Sequence, residues 1–128
     1  MYLSNGLISP FGQGATMIVI KLGGSVITQK DKPFTPDLNV LYEIAKVFGR
    51  FCKDNPEQSL AIVHGGGSFA HVVASQYSDR SELTTKTKRG VALIAWSARK
   101  LNDRVIESLV DHDVPVFPLQ TSSVFHLS

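Results

Sequence analysis

Apolar and polar positions along the chain fall into two rhythms. Residues 17–22, "MIVIKL", and 60–63, "LAIV", are unbroken apolar runs rich in β-branched residues. Short runs without alternation fit strands buried on both faces of a parallel sheet. Between them, Leu41, Ala45, Phe48 and Cys52 recur at helical spacing, which predicts an amphipathic helix over 36–53. "TPD" at 35–37 supplies its start, with Thr35 as cap, Pro36 at the first helical position and Asp37 in the first turn. "DNPEQ" (54–58) reads as a turn. After the second strand, Ser68 is placed to cap a short helix through about Tyr77, and 78–86 reads as a polar loop. Val91, Ile94, Ala98, Leu101, Val105 and Leu109 then alternate by three and four, the core-facing stripe of a long helix. "VPVFPL" (114–119) is a third, shorter strand, weakened by Pro115 and Pro118. Strand, helix, strand, helices, strand is the order of right-handed crossovers in a parallel sheet covered on both faces.

Composition narrows the classes. The 128 residues suffice for one domain with a real core, and 43% hydrophobic with 19% charged residues is ordinary for a globular protein. A formal net charge of +2 is too small to call for nucleic acid or a membrane surface, and "KTKR" at 86–89 reads as a solvated helix start. The lone Cys52 excludes a disulfide framework, sits in the helical stripe as a small core residue, and suggests a reducing, cytoplasmic compartment. No apolar run reaches membrane-spanning length. Residues 1–16 lack the charge and apolar core of a signal peptide and read as a disordered extension, leaving 17–128 as the folded part.

Chemistry concentrates where the strands end. "KLGGS" closes the first and "HGGGS" the second. In an open parallel sheet, ligands bind beyond the carboxyl ends of the strands. Glycines there let backbone N–H groups face an anion, and the helix after the second loop adds its positive end. Phosphate is the expected ligand. The Walker pattern is absent. Gly65, Gly67 and Ala70 satisfy GxGxxG/A formally, but no acidic strand end follows about 20 residues later. Two glycine loops serving two phosphates, a donor and an acceptor, fit better. Lys21, at the edge of an apolar strand, and Lys30, nine residues on, are the residue type suited to neutralising phosphoryl charge, although on spacing alone Lys30 reads as a surface lysine. His71 falls in the first turn after the glycines, within reach of whatever they bind, whereas His64 serves equally well as a backbone hydrogen-bonder or a site residue. No Asp, Glu or Cys cluster accompanies the histidines, so no metal site is expected.

"IVIKLGGSVIT-K" followed by "IVHGGGSF-H" resembles the amino-acid-kinase superfamily and, within it, the isopentenyl phosphate kinases, over Met17 to about Leu119. The second histidine belongs to the phosphate-substrate branch; "VPVFPLQ" is also similar to the fosfomycin kinases. The resemblance implies a three-layer α/β/α sandwich with a mainly parallel sheet, Mg-ATP as phosphoryl donor, and isopentenyl phosphate as acceptor. It implies that Lys21, Leu22, Gly23, Gly24 and Ser25 form the ATP phosphate loop, with Lys21 also catalytic. Lys30 would stabilise the moving phosphoryl group, Gly66 and His71 bind the acceptor phosphate, and Gly67 contact the nucleotide. The magnesium travels with the nucleotide, with no metal site on the protein. Two departures stand out. Ala70 replaces the branch's usual glycine, an extra methyl at the helix start. Family members are also substantially longer, so the chain reads as an amino-terminal half whose partner is a missing carboxy-terminal half or a second copy. A related kinase with another acceptor and a non-catalytic phosphate-binding or assembly module are the competing readings.

Overall fold

A computed structural model describes residues 2–3, 16–77 and 85–120. In chain order the elements are β1 (Tyr2–Leu3), β2 (Met17–Leu22), α1 (Gly24–Ile27), α2 (Leu38–Asp54), β3 (Ser59–His64), α3 (Gly67–Gln76), α4 (Thr85–Val110) and β4 (Val116–Phe117). The sheet order is β2-β3-β1-β4. β2 and β3 are parallel neighbours from Met17↔Ser59 to Leu22↔His64, joined through α1 and α2. β1 runs antiparallel to both β3 and β4, so β4 points the same way as β3.

The α/β architecture follows the sequence pattern, with informative differences. Tyr2 and Leu3, expected within a disordered extension over 1–16, instead form the strand between β3 and β4. A strand edge offers unpaired N–H and C=O groups that a short extended segment can satisfy. Residues 4–15 of that extension, 78–84 of the expected polar loop and 121–128 lie outside the described residues.

The helix expected over 36–53 begins at Leu38, because Thr28 and Pro36 form an isolated antiparallel bridge that keeps Pro36 extended. Asp37 is therefore the cap, its Oδ1 accepting the Val40 N–H at 3.2 Å. Ser68 does not cap α3 either. Gly66 occupies that position, and the Ser68 hydroxyl instead faces the backbone of Thr35. α1 had no counterpart in the sequence reading, since four residues are too few for a periodic signal.

One core unites the elements. Leu60 and Ile62 of β3, with Ile20 and Leu22 of β2, pack against Ile27, Leu41, Ala45, Phe48, Cys52, Phe69, Leu101, Val105 and Leu109. The alternate positions point the other way. Val19 is 64% exposed and Val63 46%, and Lys21, paired in register with Val63, is exposed as well. The two strands expected to be buried on both faces are thus covered on one. The apolar character of the exposed face is what the unbroken runs register.

Candidate functional site

Parallel pairing sets the site. Because Leu22 lies opposite His64, both strands release their glycines at one edge, and the Gly65 N–H donates to the Leu22 carbonyl at 3.0 Å. The two loops touch. A Cβ built on Gly24 would collide with the Gly67 amide nitrogen and lie 2.8 Å from its Cα. Gly67 itself has φ +48, left-handed backbone that side chains rarely tolerate, and a Cβ there would strike Thr28 Oγ1 and the Gly24 carbonyl. Glycine is required at both positions by contact between two backbones.

Among the described residues, no backbone oxygen accepts from the N–H groups of Gly24, Ser25, Gly66 or Gly67. For Gly67 this is the ordinary condition of a helix start, where the first N–H groups have no partner inside the helix. α3 adds the positive end of ten residues of aligned peptide dipoles. Converging donors beside a helix start make a cradle for an anion.

Beside the cradle lies a cleft of about 390 Å³ lined by Ser25, Thr28, Lys30, Asp31, Pro33, Gly67, Ser68, His71 and Val72. Four residues singled out from the sequence meet here: Ser25, Lys30, Gly67 and His71. Lys30 is carried by a loop closed on itself, with the Gln29 N–H donating to the Thr35 carbonyl at 3.0 Å. That loop is tied to α3 by the Phe34 N–H on the Ser68 carbonyl at 3.4 Å and by the edge-on packing of Phe34 against Phe69 at 5.8 Å. Phe34 adopts φ +52 to make this contact.

Gly24 meets Gly67 at the loop contact and Gly66 caps α3, but neither is among the residues that line the cleft. Ala70 does not disturb the helix start: its N–H donates to the Gly66 carbonyl at 3.2 Å, and its methyl fills the space a Cβ on Gly66 would need.

Other candidates stand apart. Lys21 is exposed on the bare sheet face and Leu22 packs into the core, so neither side chain lines the cleft. Gly23 supplies the carbonyl that accepts from Val26 and Ile27 at the start of α1. The His64 ring is engaged on both sides, with Nδ1 donating to the Gly65 carbonyl at 3.1 Å and Nε2 lying 3.0 Å from Asn102 Oδ1. It braces the glycine loop against α4. Cys52 is buried, and burial pushes its thiol up from the usual value, away from nucleophilic use.

Thr28, Asp31, Pro33 and Val72 are the lining residues sequence reasoning passed over. No spacing rule marks them, because a loop that folds back after α1 brings them in. A second, wider cleft of about 590 Å³ lies between α2 and the turn after α4, lined by residues including Lys46, Arg50, Lys53, Asp111, His112 and Asp113.

Residues 16–126 match the amino acid kinase family. Among curated proteins, the chain is 37% identical over 113 residues to the isopentenyl phosphate kinase of Methanothermobacter thermautotrophicus, covering 84% of this chain and 41% of that protein. It is 30% identical over 114 residues to the isopentenyl phosphate kinase of Methanocaldococcus jannaschii, covering 84% and 44%. A solved isopentenyl phosphate kinase structure superposes with a TM-score of 0.73 at 37% identity, covering 84% of this chain and 45% of that one. The product complex of the Thermoplasma acidophilum isopentenyl phosphate kinase gives 0.65 at 28% identity, covering 77% and 40%. The chain spans less than half the length of these relatives.

Proposed function

The chain belongs to the amino acid kinase family, and from that premise we propose that it is the acceptor-binding portion of an ATP-dependent phosphotransferase that converts isopentenyl phosphate to isopentenyl diphosphate. The observation that carries this reading is the contact between the two glycine loops, with Lys30 and His71 lining one cleft beside it. Two phosphates held on touching loops are two phosphates held close enough for in-line transfer. An acceptor phosphate oxygen attacks the γ-phosphorus of ATP, a new P–O bond forms, the bond to the β-phosphate oxygen breaks, and ADP leaves.

Roles follow from position. The amides of Gly24 and Ser25, which have no backbone acceptor among the described residues, suit the donor phosphates, and those of Gly66 and Gly67 the acceptor phosphate and the nucleotide. His71 donates to the acceptor phosphate, and Lys30 meets the charge that gathers on the moving phosphoryl group. Lys21 lies on the bare sheet face, and its contribution is a positive charge near the donor loop.

In this reading the loop after β2 holds the polyphosphate of ATP. Bound magnesium supplies charge neutralisation on that polyphosphate. In this reading the magnesium is carried by the nucleotide's own phosphates. No helix among the described residues is long and apolar enough to cross a membrane.

Calorimetric titration with isopentenyl phosphate and, separately, with fosfomycin tests the acceptor. Both are anions that the cradle can hold, but only the first carries a five-carbon apolar tail. Saturable binding of isopentenyl phosphate, tighter than fosfomycin, is the expected result. Tighter fosfomycin binding would move the assignment to that related acceptor class, and binding of neither would leave only a phosphate-independent assembly role.

A further inference from the structure

We propose that Thr28 is a positioning residue, a latch whose hydroxyl fixes the spacing between the two glycine loops. Its side chain is 3% exposed, yet the hydroxyl is fully used. Oγ1 donates to the Gly24 carbonyl at 2.7 Å and accepts the Ser68 N–H at 3.0 Å. One oxygen atom therefore ties the loop after β2 to the helix after β3. No other side chain among the described residues links these two segments by hydrogen bonds at both ends.

The latch also selects which amides remain for ligand. The Ser68 N–H is spent on Thr28, while those of Gly66 and Gly67 have no backbone acceptor among the described residues. The left-handed turn at Gly67 is pressed against the same oxygen, so the latch and the turn define each other. In the reading above the donor phosphates belong to the loop after β2 and the acceptor phosphate to the loop after β3, and the rate of an in-line transfer falls steeply when such spacing loosens. Thr28 touches neither phosphate in this scheme and acts through the loops. Its methyl fills buried space, and only its hydroxyl spans the loops, so the two contributions are separable by substitution. The inference rests on the acceptor assignment above for its functional consequence, though the latch itself does not.

Thr28→Val keeps the branched shape and removes the hydroxyl; Thr28→Ser keeps the hydroxyl and removes the methyl. The experiment measures amide hydrogen exchange residue by residue, and isopentenyl phosphate binding by calorimetry, on the 128-residue chain. In Thr28→Val the Ser68 amide is expected to exchange at least about tenfold faster, and affinity to fall about tenfold, as one hydrogen-bond link is lost. In Thr28→Ser both are expected to stay within about threefold of the parent, even if the missing methyl lowers the melting temperature. Unchanged Ser68 exchange in a folded Thr28→Val protein would overturn the latch. So would a general rise in exchange along α3 with phosphate affinity intact, or a Thr28→Ser protein as impaired as Thr28→Val. If the parent chain binds no isopentenyl phosphate, the acceptor assignment fails, and the Ser68 exchange rates still decide the latch.

Discussion

His71 is where a single side chain carries the most specific claim. It lines the cleft from the second turn of α3, exposed, one turn beyond Gly66 and Gly67. A hydrogen bond to a charged phosphate contributes about 1.5–3 kcal/mol. His71→Ala should therefore weaken isopentenyl phosphate binding by about that amount while the thermal melt stays close to the parent's. Calorimetry with parallel melts checks both, and a less stable protein of unchanged affinity would make His71 a packing residue.

Lys30 makes a different claim, because its partner charge grows during transfer. In a full-length kinase carrying this segment, Lys30→Met should lower kcat far more than it raises KM. A raised KM at equal kcat would make it a ground-state binder. At this scale the sequence was legible for residues beside a glycine run, such as Ser25, Gly67 and His71. It was silent on Asp31 and Pro33, which reach the cleft only because the 29–35 loop closes and packs onto Phe69.

The elements that matter most are the two strand-to-helix turns. Both strands, the long helices and the glycine loops could be read from apolar runs and helical stripes. The starts of α2 and α3 could not, because long-range partners chose them. The Thr28–Pro36 bridge holds Pro36 extended and passes capping to Asp37, while Ser68, a fair cap by type, is recruited across the fold to Thr35. The turn at Gly67 gives the sharpest test at this scale. Gly67→Ala must place a methyl against Thr28 Oγ1 and the Gly24 carbonyl at a positive φ. A cost of about 1–3 kcal/mol in stability is expected, with loss of phosphate binding. Chemical denaturation and titration of the same sample measure it, and a variant as stable and as tight-binding as the parent would show that the loops do not touch in solution.

For the whole molecule, the sheet's uncovered face sets the terms. Val19, Val63 and Lys21 are exposed on β2 and β3, the same strands whose unbroken apolar runs suggested burial on both sides. β2 is also an edge strand, with nothing paired beyond it among the described residues. An apolar sheet face beside an open edge invites a further layer. The relatives have more than twice the length that this chain matches.

The 128-residue chain by itself should then bind acceptor but show no significant turnover in a coupled ADP-release assay with isopentenyl phosphate. Robust turnover would mean that donor and acceptor are fully held by this segment. The central claim, that touching glycine loops form the phosphate site, is tested most directly by a crystal structure of the chain with isopentenyl phosphate. The account predicts the phosphate within hydrogen-bonding distance of the Gly66 and Gly67 amides and the His71 ring. A phosphate seated instead among Lys46, Arg50 and Lys53, in the cleft between α2 and the turn after α4, would contradict it.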